Sequence, residues 1–222
     1  HAVILVTSAV LLEEVALVLA DDGVWQNGAV ALLDFQDKAS CGSDASETRK
    51  QVDITFEDDG STYTALRFRV GVPASQNHLE VATPPLNSLG MSWAWQAGRK
   101  YMRLDVKPEG GISRPGDEDF AGTSWNFHLG ATGCAGDSEA EVTCTNANIP
   151  DVELSGFSIS SQTIVIDYGR LVNGNNLSQD INGAPGCMSG SSDSECNATF
   201  TQLGLDLASG AVNGEQSIFS IR

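Results

Sequence analysis

Hydrophobic and polar positions alternate along much of this chain with the period of two that belongs to strands. Glu13, Val15, Leu17 and Leu19 begin one alternation, which ends at the turn Asp21-Asp22-Gly23. Residues 25–35 give a second strand, broken at Asn27-Gly28. Residues 51–56 alternate, Asp58-Asp59-Gly60 turns, and residues 63–72 alternate again. In that run Leu66, Phe68 and Val70 face one way and Arg67 and Arg69 the other, the pattern of a hairpin that Pro73 ends. Further strands are predicted at 91–96, 100–106, 125–129, 152–157 and 163–168. Only residues 11–20 also carry a helical period. Polar loops rich in Gly, Pro, Asp and Ser fill 34–46, 73–90, 107–123, 130–150 and 173–198. Many short strands joined by turns predict an all-β, sandwich-like fold with little helix, built as one domain over residues 1–222.

Charge changes the picture of partners. The 222 residues carry a formal net charge of −17, with 29 acidic against 12 basic side chains. No basic patch is available to neutralise phosphates, so nucleic acid is excluded as a ligand. The apolar run at 3–20 is interrupted by Thr7, Ser8, Glu13 and Glu14 and lacks a basic leader. It reads as neither a membrane helix nor a signal peptide.

Five cysteines occur, and four form two local pairs, Cys134 with Cys144 and Cys187 with Cys196. Each pair would close a short flexible loop, where closure costs little entropy, and neither has the Cys-x2–4-Cys spacing of a zinc site. Two disulfides and an oxidising compartment are therefore expected, with Cys41 left over. The acidic run Gly116-Asp117-Glu118-Asp119 offers oxygen ligands for calcium, or is simply a solvated loop. No Gly-x-Ser-x-Gly elbow and no phosphate-binding Gly-rich loop is present. The three histidines, His1, His78 and His128, are scarce enough for their positions to inform. His78 lies in a predicted loop and His128 at a strand end before Gly130; Trp93, Trp95 and Trp125 lie nearby in sequence.

Several ordered motifs resemble the MbnP-like family of exported copper proteins, which includes the MopE and CorA surface proteins of methanotrophic bacteria and is also called the metallo-mystery pair four-Cys family. They are Ala31-Leu32-Leu33-Asp34-Phe35 with Cys41, Leu66-Arg67-Phe68-Arg69-Val70-Gly71-Val72-Pro73 leading to Asn77-His78, Pro85-Leu86-Asn87, and Met91-Ser92-Trp93-Ala94-Trp95-Gln96-Ala97-Gly98-Arg99-Lys100-Tyr101. Asn126-Phe127-His128-Leu129-Gly130-Ala131-Thr132-Gly133-Cys134 and Gly186-Cys187-Met188-Ser189-Gly190 complete the set. The resemblance spans about residues 25–205. It implies a β-rich fold with two disulfides and one mononuclear copper(I) site, with His78 and His128 as ligands. It further implies a tryptophan oxidised to a kynurenine-type residue that helps bind the metal, and a di-haem peroxidase-like enzyme that makes the modification. Because side chains alternate along a strand, Trp125 and His128 should face opposite sides, so Trp93 or Trp95 is the preferred modified residue and Trp125 the reserve.

Three functions compete at this stage. The first is a copper(I) protein for copper acquisition or homeostasis, secreted, periplasmic or peripherally attached to the outer-membrane surface, and not an enzyme. The second is an oxygenase in which the amine and imidazole of His1 chelate copper. The third is a metal-free or calcium-binding recognition module.

Overall fold

The computed structural model describes residues 3–19, 24–27, 30–35, 62–80, 83–93, 98–158 and 161–222. Strand β1 (Val3–Leu19) is the longest element among the described residues. It is followed by β2 (Val24–Asn27), β3 (Ala31–Asp34) and β4 (Tyr63–Val70). A one-turn helix, α1 (Ala74–Asn77), and a 3-10 turn at Leu89–Met91 precede β5 (Met102–Pro108). Then come β6 (Ile112–Arg114), β7 (Asp117–Gly122), β8 (Trp125–Leu129), β9 (Thr132–Ala135), β10 (Thr143–Asn146) and β11 (Asp151–Ser155). The last third holds β12 (Ile164–Ile166), α2 (Tyr168–Leu171), β13 (Gly186–Cys187), α3 (Cys196–Gln202) and β14 (Phe219–Ile221). The fold is all-β and sandwich-like, with few and short helices.

The main sheet runs β11-β4-β1-β5-β8-β13, with β2 and β3 also on β1. The first half of β1 pairs with β5, from Val3↔Pro108 to Val10↔Met102, and its second half with β4, from Leu12↔Val70 to Leu19↔Tyr63. β3 and β2 pair with residues that β5 and β4 also pair, so they occupy the opposite edge of β1. The helical period at 11–20 is thus overridden. A strand in this position satisfies its backbone on both edges, which outweighs local preference.

Alternation sets the core. On β4, Leu66, Phe68 and Val70 are buried while Arg67 and Arg69 reach acidic partners on β11, Glu153 at 2.7 Å and Asp151 at 3.3 Å. On β5 and β8 the core face carries Met102, Leu104, Val106, Trp125, Phe127 and Leu129. The C-terminal third covers this face with Leu171, Phe200, Leu203, Ile218 and Phe219. Phe219 meets Phe68 edge-on, with ring centroids 5.1 Å apart. The predicted partner of residues 63–72, strand 51–56, lies outside the described residues.

Three predicted loops hold more order than alternation suggested. Residues 107–123 contain the β6–β7 hairpin, turned by Pro115-Gly116 with Gly116 at φ +82, as a type II turn requires. Residues 130–150 contain the β9–β10 pair, with Cys134 opposite Cys144. Residues 173–198 run into α3 at Cys196. In the other direction, 91–96 forms no strand among its described residues; Ser92 pairs with Arg99 alone. Both expected disulfides are present, Cys134–Cys144 and Cys187–Cys196.

The long 173–198 segment is held by a buried charge cluster. Arg114 donates through Nε to Asp180 Oδ2 at 2.7 Å, pairs with it again through Nη2, and stacks on Phe120. Asp180 is fully buried. Glu195, also buried, accepts the Ile181 N–H at 3.2 Å. Burial first, and then the neighbouring Asp180 and Asp193, push the Glu195 carboxyl up to about 7. An acid whose pKa is raised by folding contributes stability that is whole below its unfolded value, near 4.5, and lost as pH rises through about 7. The melting temperature is therefore expected to fall between pH 5 and pH 8, and Glu195→Gln, neutral throughout, to flatten that fall. Thermal melts across this range check it; an unchanged slope in the variant would count against Glu195 as the source.

Candidate metal centre

His78 sits at the end of α1, whose single turn is started by Pro73, with the Pro73 carbonyl accepting the N–H groups of Gln76 and Asn77 at 2.8 and 3.0 Å. Asn77 fixes the ring beside it. Its Oδ1 accepts the Arg99 N–H at 2.8 Å, so its Nδ2 is the group that donates to His78 Nε2 at 3.1 Å. The lone pair of His78 therefore resides on Nε2. The same nitrogen lies 3.4 Å from Cys144 Sγ. The ring is buried over Gly98, where a β-carbon would lie 3.0 Å from His78 Cε1. Arg99 ties the preceding loop down by donating to the carbonyls of Leu86 at 2.9 Å and Leu79 at 2.6 Å.

His128 projects from the face of β8 opposite the core. The register places Arg103 across from His128 and Asp105 across from Asn126, so all four share that face. His128 Nε2 donates to Asp105 Oδ1 at 2.7 Å, and Arg103 holds Oδ2 of the same carboxylate through Nε at 2.7 Å and Nη2 at 2.6 Å. Burial pushes the His128 pKa down against the opposing pull of Asp105. For Asp105, burial acts upward but is outweighed by His128 and Arg103, so the carboxyl stays below its usual range. The pair is a neutral imidazole donating to an ionised carboxylate, and His128 Nδ1 carries the lone pair. Ser189 fixes the backbone here, donating to His128 O at 2.8 Å and accepting from Gly130 N at 3.2 Å.

Residues 91–93 and 98–100 border both histidines. The Trp93 N–H donates to Gly98 O at 2.9 Å, directly beside the glycine under His78. The buried Trp93 indole packs on Gly130, where a β-carbon would come within 3.2 Å of Cζ2, and meets the His128 ring edge-on at 6.5 Å. Trp125 is fully buried on the core face of its strand, away from His128. Trp95, Cys41 and His1 lie outside the described residues.

Among the described residues, the donor atoms of His78, Cys134 and Cys144 lie within 4.8 Å of one another. The two sulfurs are joined in a disulfide. The acidic run at 117–119 forms the start of β7, with Asp117 turned to Arg114 at 3.8 Å. Asp105 and Arg103 were not singled out in the sequence. Their only sequence signal is alternation within β5, and their relation to His128 depends on the β5–β8 register.

The histidines fit a copper ion chemically. Each is buried or nearly so. Asp105 engages the N–H of His128 and leaves its Nδ1 lone pair for a metal, whereas the His78 lone pair on Nε2 accepts from Asn77, so a metal there would take the place of that hydrogen bond. No helix among the described residues is long and apolar enough to cross a membrane. The two disulfides suit an oxidising, extracytoplasmic setting.

No curated protein matches this chain. MbnP from Methylosinus trichosporium is similar in structure, with a TM-score of 0.81 and 28% identity over 99% of this chain and 87% of that one. The match to the family model begins at residue 5, so the likeness reaches back into β1, beyond the start near residue 25 expected from the motifs. With residues 5–189 matching the family model described as MbnP, the chain belongs to the MbnP family.

Proposed function

We propose that this protein binds copper(I) outside the cytoplasm, for copper acquisition or homeostasis, through His78 and His128. The observation that carries the reading is the fixed chain Arg103–Asp105–His128, which orients an imidazole that burial keeps neutral, as a metal ligand requires. On the other side, packing over Gly98 orients His78, whose Nε2 lone pair would exchange its Asn77 hydrogen bond for the metal. Two neutral nitrogens suit the soft, closed-shell ion that copper(I) supplies. Family membership supports a copper-associated role.

Trp93 is the residue we assign to oxidation, because its indole already abuts His128. Opening the indole to a kynurenine-type residue would give a carbonyl oxygen and an aryl amine beside the His128 imidazole. The oxidant would come from the di-haem peroxidase-like enzyme that the family resemblance implies.

His78→Ala and His128→Ala are each expected to abolish stoichiometric copper(I) binding in competition with a chelator, while the circular dichroism spectrum stays that of a β protein. Retention of one tightly held copper by both variants would sink the reading. Gly98→Ala should displace the His78 ring, weakening copper binding at least about tenfold at a stability cost of roughly 1 kcal/mol, read by chelator competition and thermal melts. Peptide mass spectrometry of protein from its native host is expected to show the oxidised indole at Trp93. Oxidation at Trp95 or Trp125 instead would move the assignment.

A further inference from the structure

The two disulfides differ in environment. Cys187 and Cys196 are fully buried, with Cys187 paired along β8. Cys134 and Cys144 are half-buried on the β9–β10 pair, among exposed residues at 135–139, 141 and 143. Solvent and small reductants reach the second disulfide far more readily than the first. It is also the one that touches a histidine.

That contact has a definite chemistry. A disulfide sulfur has no proton to give, so the 3.4 Å approach of Cys144 Sγ to His78 Nε2 brings sulfur against a nitrogen lone pair. The donor atoms of Cys134, Cys144 and His78 already lie within 4.8 Å of one another. Sulfur and nitrogen ligands on one tetrahedral zinc-sized ion stand about 3.5 Å apart. The S···N spacing needs only small adjustment, while the two sulfurs, bonded to each other here, would move apart to about 3.8 Å on such an ion.

The scaffold does not rely on the sulfur bridge to keep these groups together. β9 and β10 stay paired through Thr143↔Ala135 and Asn146↔Thr132. The loop between them is tied to the His78 loop, Glu80 N–H donating to Glu139 Oε2 at 2.8 Å. Gly98 packs under the imidazole independently of the sulfurs, and a metal at Nε2 would take the place of the Asn77 hydrogen bond.

We propose that reduction of Cys134–Cys144 creates a second metal site, a Cys2His set of Cys134, Cys144 and His78 that takes a soft d10 cation, copper(I) foremost. Thiolates select such ions over harder ones. A dithiol supplies two electrons and two protons, becoming a disulfide itself, and the protein S–S bond opens to two thiols. Metal binding then releases the two thiol protons. The site shares His78 with the two-histidine centre but does not use His128, so occupying one withdraws a ligand from the other. Its existence does not rest on the copper assignment above.

The test uses the full chain carrying Cys41→Ser, to remove the fifth cysteine. Limited treatment with a water-soluble phosphine, which leaves as its oxide with oxygen taken from water, is followed by alkylation mapping. Cys134 and Cys144 should be labelled at least about tenfold faster than Cys187 and Cys196. Cadmium(II) added to the reduced protein should then give one equivalent of thiolate-to-metal charge-transfer absorption. His78→Ala should weaken that binding at least about tenfold, Cys134→Ser/Cys144→Ser should remove it, and His128→Ala should leave it unchanged. The proposal is overturned if both disulfides reduce at the same rate, if His78→Ala binds cadmium as tightly as its parent, or if opening Cys134–Cys144 alone destroys the β-sheet spectrum. Failure of the two-histidine reading would show instead as copper retained by His128→Ala in the oxidised protein.

Discussion

One strand holds the two halves of the main sheet in register. Because the first half of β1 pairs with β5 and its second half with β4, any slip along β1 would move both neighbours and everything they carry. A slip of one residue turns every side chain to the other face. Leu66, Phe68 and Val70 would leave the core, and Met102 and Leu104 would be exchanged for Arg103 and Asp105. The position of the candidate centre follows from this pairing, since β5 brings Asp105 and β8 brings His128.

On that frame, the site is assembled by hydrogen bonds that decide tautomers. Asp105 accepts a hydrogen bond from His128 Nε2, and Asn77 donates to His78 Nε2, so the lone pairs of the two rings lie on different nitrogens. Both arrangements are backed by a further cation or backbone donor, Arg103 in one case and the Arg99 N–H in the other. An orientation fixed at two removes from the ring is harder to disturb than one set by a single contact. Close packing does the remainder. Gly98 and Gly130 are the places where His78 and Trp93 approach the backbone, and any side chain there would separate the groups they bring together.

Much of this was legible in the residues. Alternation in 63–70 and 125–129 gave the core face directly, and local cysteine spacing gave both disulfides. Scarce histidines within recognisable motifs pointed to His78 and His128. The β6–β7 and β9–β10 pairs escaped because each strand is only three to six residues long and rich in polar groups, although Pro115-Gly116 carried a turn signal. Asp105 and Arg103 escaped for a different reason. Their role is defined across strands, by a register that no local pattern encodes. The run at 11–20 fits two periods at once, and only its neighbours decide between them.

The edge-on contact between Phe68 and Phe219 has a kinetic consequence. It joins residues on β4 and β14, just as the β1–β5 pairing joins residues nearly a hundred positions apart. Such distant pairings demand loop closure before any stabilisation is returned, which puts folding on the slow, millisecond-to-second side for chains of this class. Until such distant pairings form, the cysteines stay open to solvent and to oxidation.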